Sequence, residues 1–393
     1  MTPSYLIWNV SSEIFSFGSF ALRWYGLLFA LGFLISQQIL YYMYNKEGKP
    51  QKDVDTLTIY MVVATVLGAR LGHIIFYEPD MFLTNPLGII LPFEFEPKFR
   101  FTGLQGLASH GGAFGILFAL WLYSRKKKPG QNYLQVLDRI VILVALTGAL
   151  IRLGNFFNSE IIGKPTDSPL GVVFVSQITE SIMDNKSRDN PVESMQVRKD
   201  PSLPMGAHGR APINLYFFFK SGVKEDQVRQ FLIGDVKYAL TRPTTVKSSQ
   251  NEFIDEPNAE PLRYEITLEK DGTYGARVRT FGIVRHPAQL YESFSCILLF
   301  VFLFWLWKNQ KENTPPGRIF GWFLVILWSL RFAYEFLKEN QVPFENNMQN
   351  KILLNQGQIL SIPLIIAGIL VLMYSYRYTP TQKPESPNVD KIS

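Results

Sequence analysis

Residues 141–151 read VILVALTGALI, and the run leads straight into Arg152, Asn155, Asn158 and Glu160. A guanidinium is a planar fork that matches a phosphate or carboxylate with two parallel hydrogen bonds. Arg152 and Asn155 are three apart, so on a helix they share a face, with Asn158 within about a third of the circumference. One forked cation and two amides on one face suit an anionic headgroup. At the end of an apolar run such a cation is costly without a partner or a purpose: a charge at the centre of a membrane helix costs about 2.5–3.5 kcal/mol on insertion scales.

A second candidate is His110, in LASHGGAFG. Gly106, Gly111, Gly112 and Gly115 strip side chains from its surroundings. Glycine lets either a neighbouring backbone or a ligand come close. Two readings follow: a helix-packing motif with a hydrogen-bonded histidine, or a general base, since imidazole titrates near neutral pH. Other polar residues interrupt apolar runs in the same way. They are Arg23 and Tyr25, Arg70 and His73, Gln289 and Glu292, Arg331 and Glu335, and Gln356 and Gln358. Arg331 and Glu335 are i,i+4 and can neutralise each other. Arg23 and Arg285, taken alone, read equally well as interfacial anchors. Five arginines (23, 70, 152, 285, 331) face three glutamates (160, 292, 335), so a cationic excess is expected. The single cysteine, Cys296, excludes an internal disulfide and any cysteine-rich metal site, and its SFSCILLF context makes it a small buried hydrophobe. No Walker-type loop or GxGxxG is present.

The elements that carry these residues are long and apolar. Runs of about 18 or more such residues are read as membrane spans. Seven candidates lie at about 21–44, 56–77, 103–124, 134–157, 289–307, 317–337 and 356–376. Basic residues fill every second short loop: Lys46, Lys49 and Lys52; Arg125 to Lys128; Lys308, Lys311 and Arg318. The positive-inside rule puts those loops in the cytoplasm, the N-terminus outside and the C-terminal tail inside. Every span then places its polar groups in the outer half of the membrane, where they would form one chamber open to the outer leaflet. The polar block 176–283 lies outside. INLYFFF reads as a strand, KEDQVRQFLIGDVKYAL as an amphipathic helix, and YEITLEKDGTYGARVRTF as a hairpin turned at Asp271-Gly272. The expected fold is an all-α polytopic membrane protein of seven transmembrane helices with an inserted small α+β extracytoplasmic head. Its parts are 1–175 (helices one to four), 176–283 (head), 284–378 (helices five to seven) and 379–393 (cytoplasmic tail).

LIRLGNFFNSEIIG at 150–163 resembles the signature of the phosphatidylglycerol–prolipoprotein diacylglyceryl transferase family. RWYG at 23–26, SHGGAFG at 109–115, RHPAQLYE at 285–292, LRFAYEF at 330–336 and GQILSIP at 357–363 fit the same family in order. The resemblance covers all seven candidate spans and leaves out the block at about 176–280. It departs at Ile151, where the family has glycine, and in a longer head. It implies transfer of the sn-1,2-diacylglyceryl group of phosphatidylglycerol to the lipobox cysteine of a preprolipoprotein, forming a thioether and releasing glycerol 1-phosphate. This is the first step of bacterial lipoprotein maturation, in the inner membrane. It implies Arg152 as a phosphatidylglycerol-binding residue and Arg331 as a second essential cation. With Asn155 and Asn158 these form the expected phosphate site. His110 is the expected base toward the substrate thiol, with Tyr25 orienting it. Glu160, Glu292 and Glu335 are expected to hold the arginines, and a glutamate is the other candidate for the base. No metal or cofactor is expected, because the nucleophile belongs to the substrate. The partners are phosphatidylglycerol, lipobox signal peptides and membrane lipids, with no nucleic acid. Since the chemistry lies in the spans, replacing residues 180–278 with a short Gly/Ser linker is expected to leave some transfer to a minimal lipobox peptide and to impair transfer to full-length substrates more strongly.

Two other functions fit part of the pattern. A lipid carrier or flippase would also need an anionic-headgroup chamber, but should carry polar residues through the full membrane depth. An intramembrane protease needs a Ser/His or paired-Asp constellation within the spans, and the sequence shows none.

Overall fold

A computed structural model describes residues 5–17, 20–89, 93–94, 100–101, 108–183, 190–243, 251–339 and 354–378. The expected cytoplasmic tail, 379–393, lies outside the described residues. Helices are α1 (Trp24–Lys46), α2 (Gln51–Tyr77), α3 (Met81–Thr84), α4 (Ser109–Ser124), α5 (Tyr133–Phe157), α6 (Ser176–Met183), α7 (Glu225–Phe231), α8 (Lys237–Thr241), α9 (Ala288–Gln310), α10 (Arg318–Tyr334) and α11 (Gln356–Arg377). The chain divides into two compact units. One holds residues 1–32, 147–297 and 328–363, and the other holds 33–146, 298–327 and 364–393.

The seven-helix, all-α expectation is corrected on two counts. Among the described residues five helices are long and apolar enough to cross a membrane: α1, α2, α5, α9 and α11. The helix within 103–124 begins only at Ser109 and has 16 residues, and the one within 317–337 ends at Tyr334 after 17. A bilayer core needs about 20 residues at 1.5 Å each. The fold is also mixed, because a six-stranded sheet draws its strands from several parts of the chain. The five long helices nonetheless make this a membrane-embedded protein, and Leu34, Phe294, Val301 and Leu370 on them are exposed, as lipid-facing side chains are.

In the second unit, α2 and α4 pack backbone to backbone. A Cβ on Gly111 would lie 2.3 Å from the Gly68 carbonyl oxygen, and one on Gly115 would lie 2.4 Å from that of Ala64. Of the two uses open to the glycines around His110, Gly111 and Gly115 show the packing one, while Gly106 lies outside the described residues. Charge is buried in this unit too. Glu47, with no exposed side-chain surface, pairs with Arg139 at 3.0 Å and Lys49 at 2.5 Å, and accepts from Trp307 Nε1 at 2.6 Å. Asp138 accepts the backbone N–H groups of Gly317 and Phe320, both at 2.8 Å. It thereby satisfies the free donors at the start of α10, as a capping side chain does.

The first unit is built around the sheet. Its strands are β1 (Leu6–Trp8), β6 (Val172–Phe174), β7 (Val192–Lys199), β8 (Arg210–Phe219), β9 (Arg263–Leu268) and β10 (Tyr274–Arg285); β2 (Glu13–Phe17) with β3 (Phe20–Arg23), and β4 (Phe93–Glu94) with β5 (Arg100–Phe101), form separate two-stranded pairs. The order is β1-β6-β10-β8-β7, with β9 also on β10. β1 runs parallel to β6, and the other pairs are antiparallel. Tyr5 Oη donates to the Pro212 carbonyl at 2.7 Å, and Lys199 sits over the Tyr5 ring, so the sheet nearly closes on itself. The segment INLYFFF is part of β8, and the β9–β10 hairpin turns at Gly272, whose φ of +82° suits glycine. Phe156 and Ile162 belong to the same buried core as Val173, Leu215, Phe217 and Leu232.

Candidate active site

The site grows from the end of α5. Trp24 stacks on Phe157 and Trp8 packs against Phe156, which fixes the last turn. The chain then leaves the helix through two residues in the left-handed region, Ser159 (φ +53°) and Ile161 (φ +56°). Such conformations cost about 1–3 kcal/mol each and persist only where the surroundings enforce them. Here Gln177 Nε2 donates to the carbonyls of Asn158 and Ser159, and the Ser159 hydroxyl meets that of Ser176 at 2.8 Å. A Cβ on Gly163 would fall 2.4 Å from the His286 carbonyl oxygen, which accepts the Gly163 N–H.

On this scaffold the charged side chains form one continuous network. Arg152 Nε meets Glu292 Oε2 at 2.6 Å, and its Nη1 donates to Asn155 Oδ1 at 3.5 Å. Asn155 and Asn158 each donate to one oxygen of Glu160, both at 3.3 Å. Gln289 Nε2 donates to the Glu160 carbonyl at 2.5 Å. Lys338, buried, pairs with the other oxygen of Glu292 and lies 3.6 Å from Glu335. Desolvation pulls its ammonium below the ordinary lysine value. Glu335 in turn meets Arg331 at 3.5 Å and accepts from Asn355 Nδ2 at 3.1 Å. A Cβ on Gly357 would lie 2.5 Å from the Glu335 carboxyl carbon, so glycine there makes room for that carboxylate.

The structure thus brings Arg152, Asn155, Asn158, Glu160, Glu292, Arg331 and Glu335 together. Tyr25 lies against Gly154, its Cα 3.0 Å from where a Cβ would stand. His110 belongs to the other unit, is exposed, and lies edge-on to Phe76, with ring centroids 5.1 Å apart. Arg70, in that unit, donates to the carbonyls of Gly88 and Ile89. Arg285 holds the joint between sheet and α9, donating to Gly163 and Glu252 carbonyls and pairing with Glu339. The expected cationic excess is not what the network contains: Arg152, Arg331 and Lys338 balance Glu160, Glu292 and Glu335. Lys338 escaped the sequence reading because it falls just past an apolar run. Its spacing of seven from Arg331 and three from Glu335 was the available sign.

Long apolar helices whose ends carry a paired cluster of ionisable side chains define a membrane-embedded protein with a polar site at those ends, and such residues mark function by default. The chain matches the family model described as prolipoprotein diacylglyceryl transferase over residues 12–374, and it belongs to that family of transferase enzymes. Three relatives carry the name phosphatidylglycerol–prolipoprotein diacylglyceryl transferase. That of Bacteroides fragilis is 31% identical over 93% of this chain and 94% of its own. That of Tolumonas auensis is 30% identical over 94% and 97%, and that of Chloroherpeton thalassium 31% over 97% and 98%. The family expected from the six motifs is therefore the family found.

Proposed function

We propose that this chain transfers the sn-1,2-diacylglyceryl group of phosphatidylglycerol to the lipobox cysteine thiol of a preprolipoprotein. The observation that carries the reading is the paired network Arg152–Glu292–Lys338–Glu335–Arg331 at the ends of apolar helices. The sulfur bonds to the glyceryl carbon as the bond from that carbon to the phosphate oxygen breaks. The thiol proton passes to a base, and glycerol 1-phosphate leaves. The phosphate gains negative charge as it departs, and preorganised cations stabilise charge where it develops. Arg152 and Arg331 are assigned to that phosphate, with Asn155 and Asn158 beside them. Glu160, Glu292 and Glu335 hold the cations in place. His110 and Tyr25 are assigned to the reaction from the SHGGAFG and RWYG motifs that hold them, His110 to take the proton of the substrate thiol. The alternating basic loops support a site toward the outer leaflet of the bacterial inner membrane, with the N-terminus outside and the C-terminus in the cytoplasm.

The test incubates the purified chain in detergent with phosphatidylglycerol and a lipobox peptide, and reads the peptide by mass spectrometry. The expected product is heavier by one diacylglyceryl group, and a peptide with serine in place of the lipobox cysteine stays unmodified. An unmodified cysteine peptide, with the protein folded and lipid in excess, would sink the reading.

A further inference from the structure

Two buried oxygen atoms in the network have no hydrogen-bond donor among the described residues: Asn158 Oδ1 and Gln289 Oε1. Both belong to amides whose nitrogens are already committed to Glu160. Asn158 Nδ2 donates to its carboxylate at 3.3 Å and Gln289 Nε2 to its backbone carbonyl at 2.5 Å. Flipping either amide would set its oxygen against another acceptor, so the orientation is fixed by the chemistry of Glu160. Gln289 is only 1% exposed, so bulk water does not satisfy it. Buried polar groups are almost always paired, and an exception calls for an explanation. The cluster around Glu160 is thus rich in acceptors and short of donors.

This has a consequence for a phosphatidylglycerol ligand. Its ester carbonyls and its phosphate are acceptors. Its only donors are the two hydroxyls of the terminal glycerol. We infer that Asn158 Oδ1 and Gln289 Oε1 accept hydrogen bonds from that diol and so select the headgroup, while Arg152, linked to Glu160 through Asn155, takes the neighbouring phosphate. The inference rests on the proposed function for the identity of the lipid, and it gives Gln289 a role in specificity.

The experiment measures lipid binding by native mass spectrometry of the detergent-solubilised chain, apart from turnover. The probes are phosphatidylglycerol, phosphatidyl-1-propanol (the same phosphate without the hydroxyls) and phosphatidylethanolamine. The wild type should bind phosphatidylglycerol about tenfold or more tighter than phosphatidylpropanol, because a site built to pair a hydroxyl rejects the analogue that lacks it. Gln289→Met and Asn158→Leu should each shrink that ratio by about tenfold or to near one. The wild-type comparison needs no variant to fold. Equal binding of the two lipids by the wild type would overturn the inference. So would a ratio unchanged in both folded variants, which would mean that buried water satisfies the oxygens. Phosphatidylethanolamine bound as tightly as phosphatidylglycerol would show an ammonium site and overturn the diol assignment. Selective binding without transfer to the peptide would uphold this inference while refuting the proposed reaction.

Discussion

Arg152 reaches two partners through different nitrogens, Glu292 from Nε and Asn155 from Nη1. A lysine has one point of charge and cannot hold both while also facing a phosphate. Arg152→Lys is expected to lower turnover by about a hundredfold or more, the scale seen when a preorganised charge-stabilising donor is lost. The protein should remain folded and monodisperse. Wild-type turnover in that variant would make Arg152 an anchor. Lys338 poses a stability question, since it is buried between two carboxylates. Breaking a buried pair by removing one member costs about 3–5 kcal/mol, because the remaining charge stays desolvated. Lys338→Met should therefore lower the melting temperature in detergent markedly, and Lys338→Arg should recover most of the loss. Equal melting of Lys338→Met and wild type would show that Glu292 and Glu335 are satisfied by the arginines alone.

Helix packing depends on the glycines of α2 and α4. A side chain on Gly111 meets the Gly68 carbonyl oxygen at 2.3 Å and the Gly72 Cα at 2.7 Å, and backbone cannot swing aside as a flexible side chain can. Gly111→Val should destabilise by roughly 1–3 kcal/mol through overpacking, and it should disturb the neighbouring His110. Gly26 in α1 has nothing within 4 Å of its would-be Cβ. Gly26→Ala should be neutral or stabilising by up to about 1 kcal/mol, from helix propensity alone. Thermal melts of the two variants side by side check the contrast. Equal losses would mean that the close approach of α2 and α4 is not what those glycines serve.

The first unit behaves as one body because the site helix and the sheet share a core. Phe156, next to Asn155, is buried with Val173, Ile213, Phe217 and Leu232. Each such side chain contributes about 1.5–3 kcal/mol when fully buried. Replacing residues 180–278 with a Gly/Ser linker removes most of that core, together with β7, β8, β9 and the start of β10, and leaves the end of β10 that pairs with β6 without β8 beside it. Transfer to a short lipobox peptide and to a full-length preprotein should then fall together. This reverses the expectation from sequence that the chemistry would survive without the head. Peptide transfer at the wild-type rate in the excised protein would show that the sheet is separable after all.

The sequence by itself determined what depends on local order and residue type. Six motifs in order placed the chain in its family, and the run ending at Arg152 marked the helix that carries the site. INLYFFF and Asp271-Gly272 marked a strand and a turn, because alternation and a positive φ are properties of a few neighbouring residues. Tertiary structure decided what depends on partners distant in the chain. β1 pairs with β6 across more than 160 residues, and no local pattern in LIW names its neighbour. Lys338 looks like an interfacial lysine until Glu292 and Glu335 close around it. The glycines beside His110 admitted either a ligand or a backbone, and only the packing of α2 chose between them. Apolar length counted seven spans where, among the described residues, five helices are long enough, since hydropathy measures how a stretch partitions but not where its helix begins or ends.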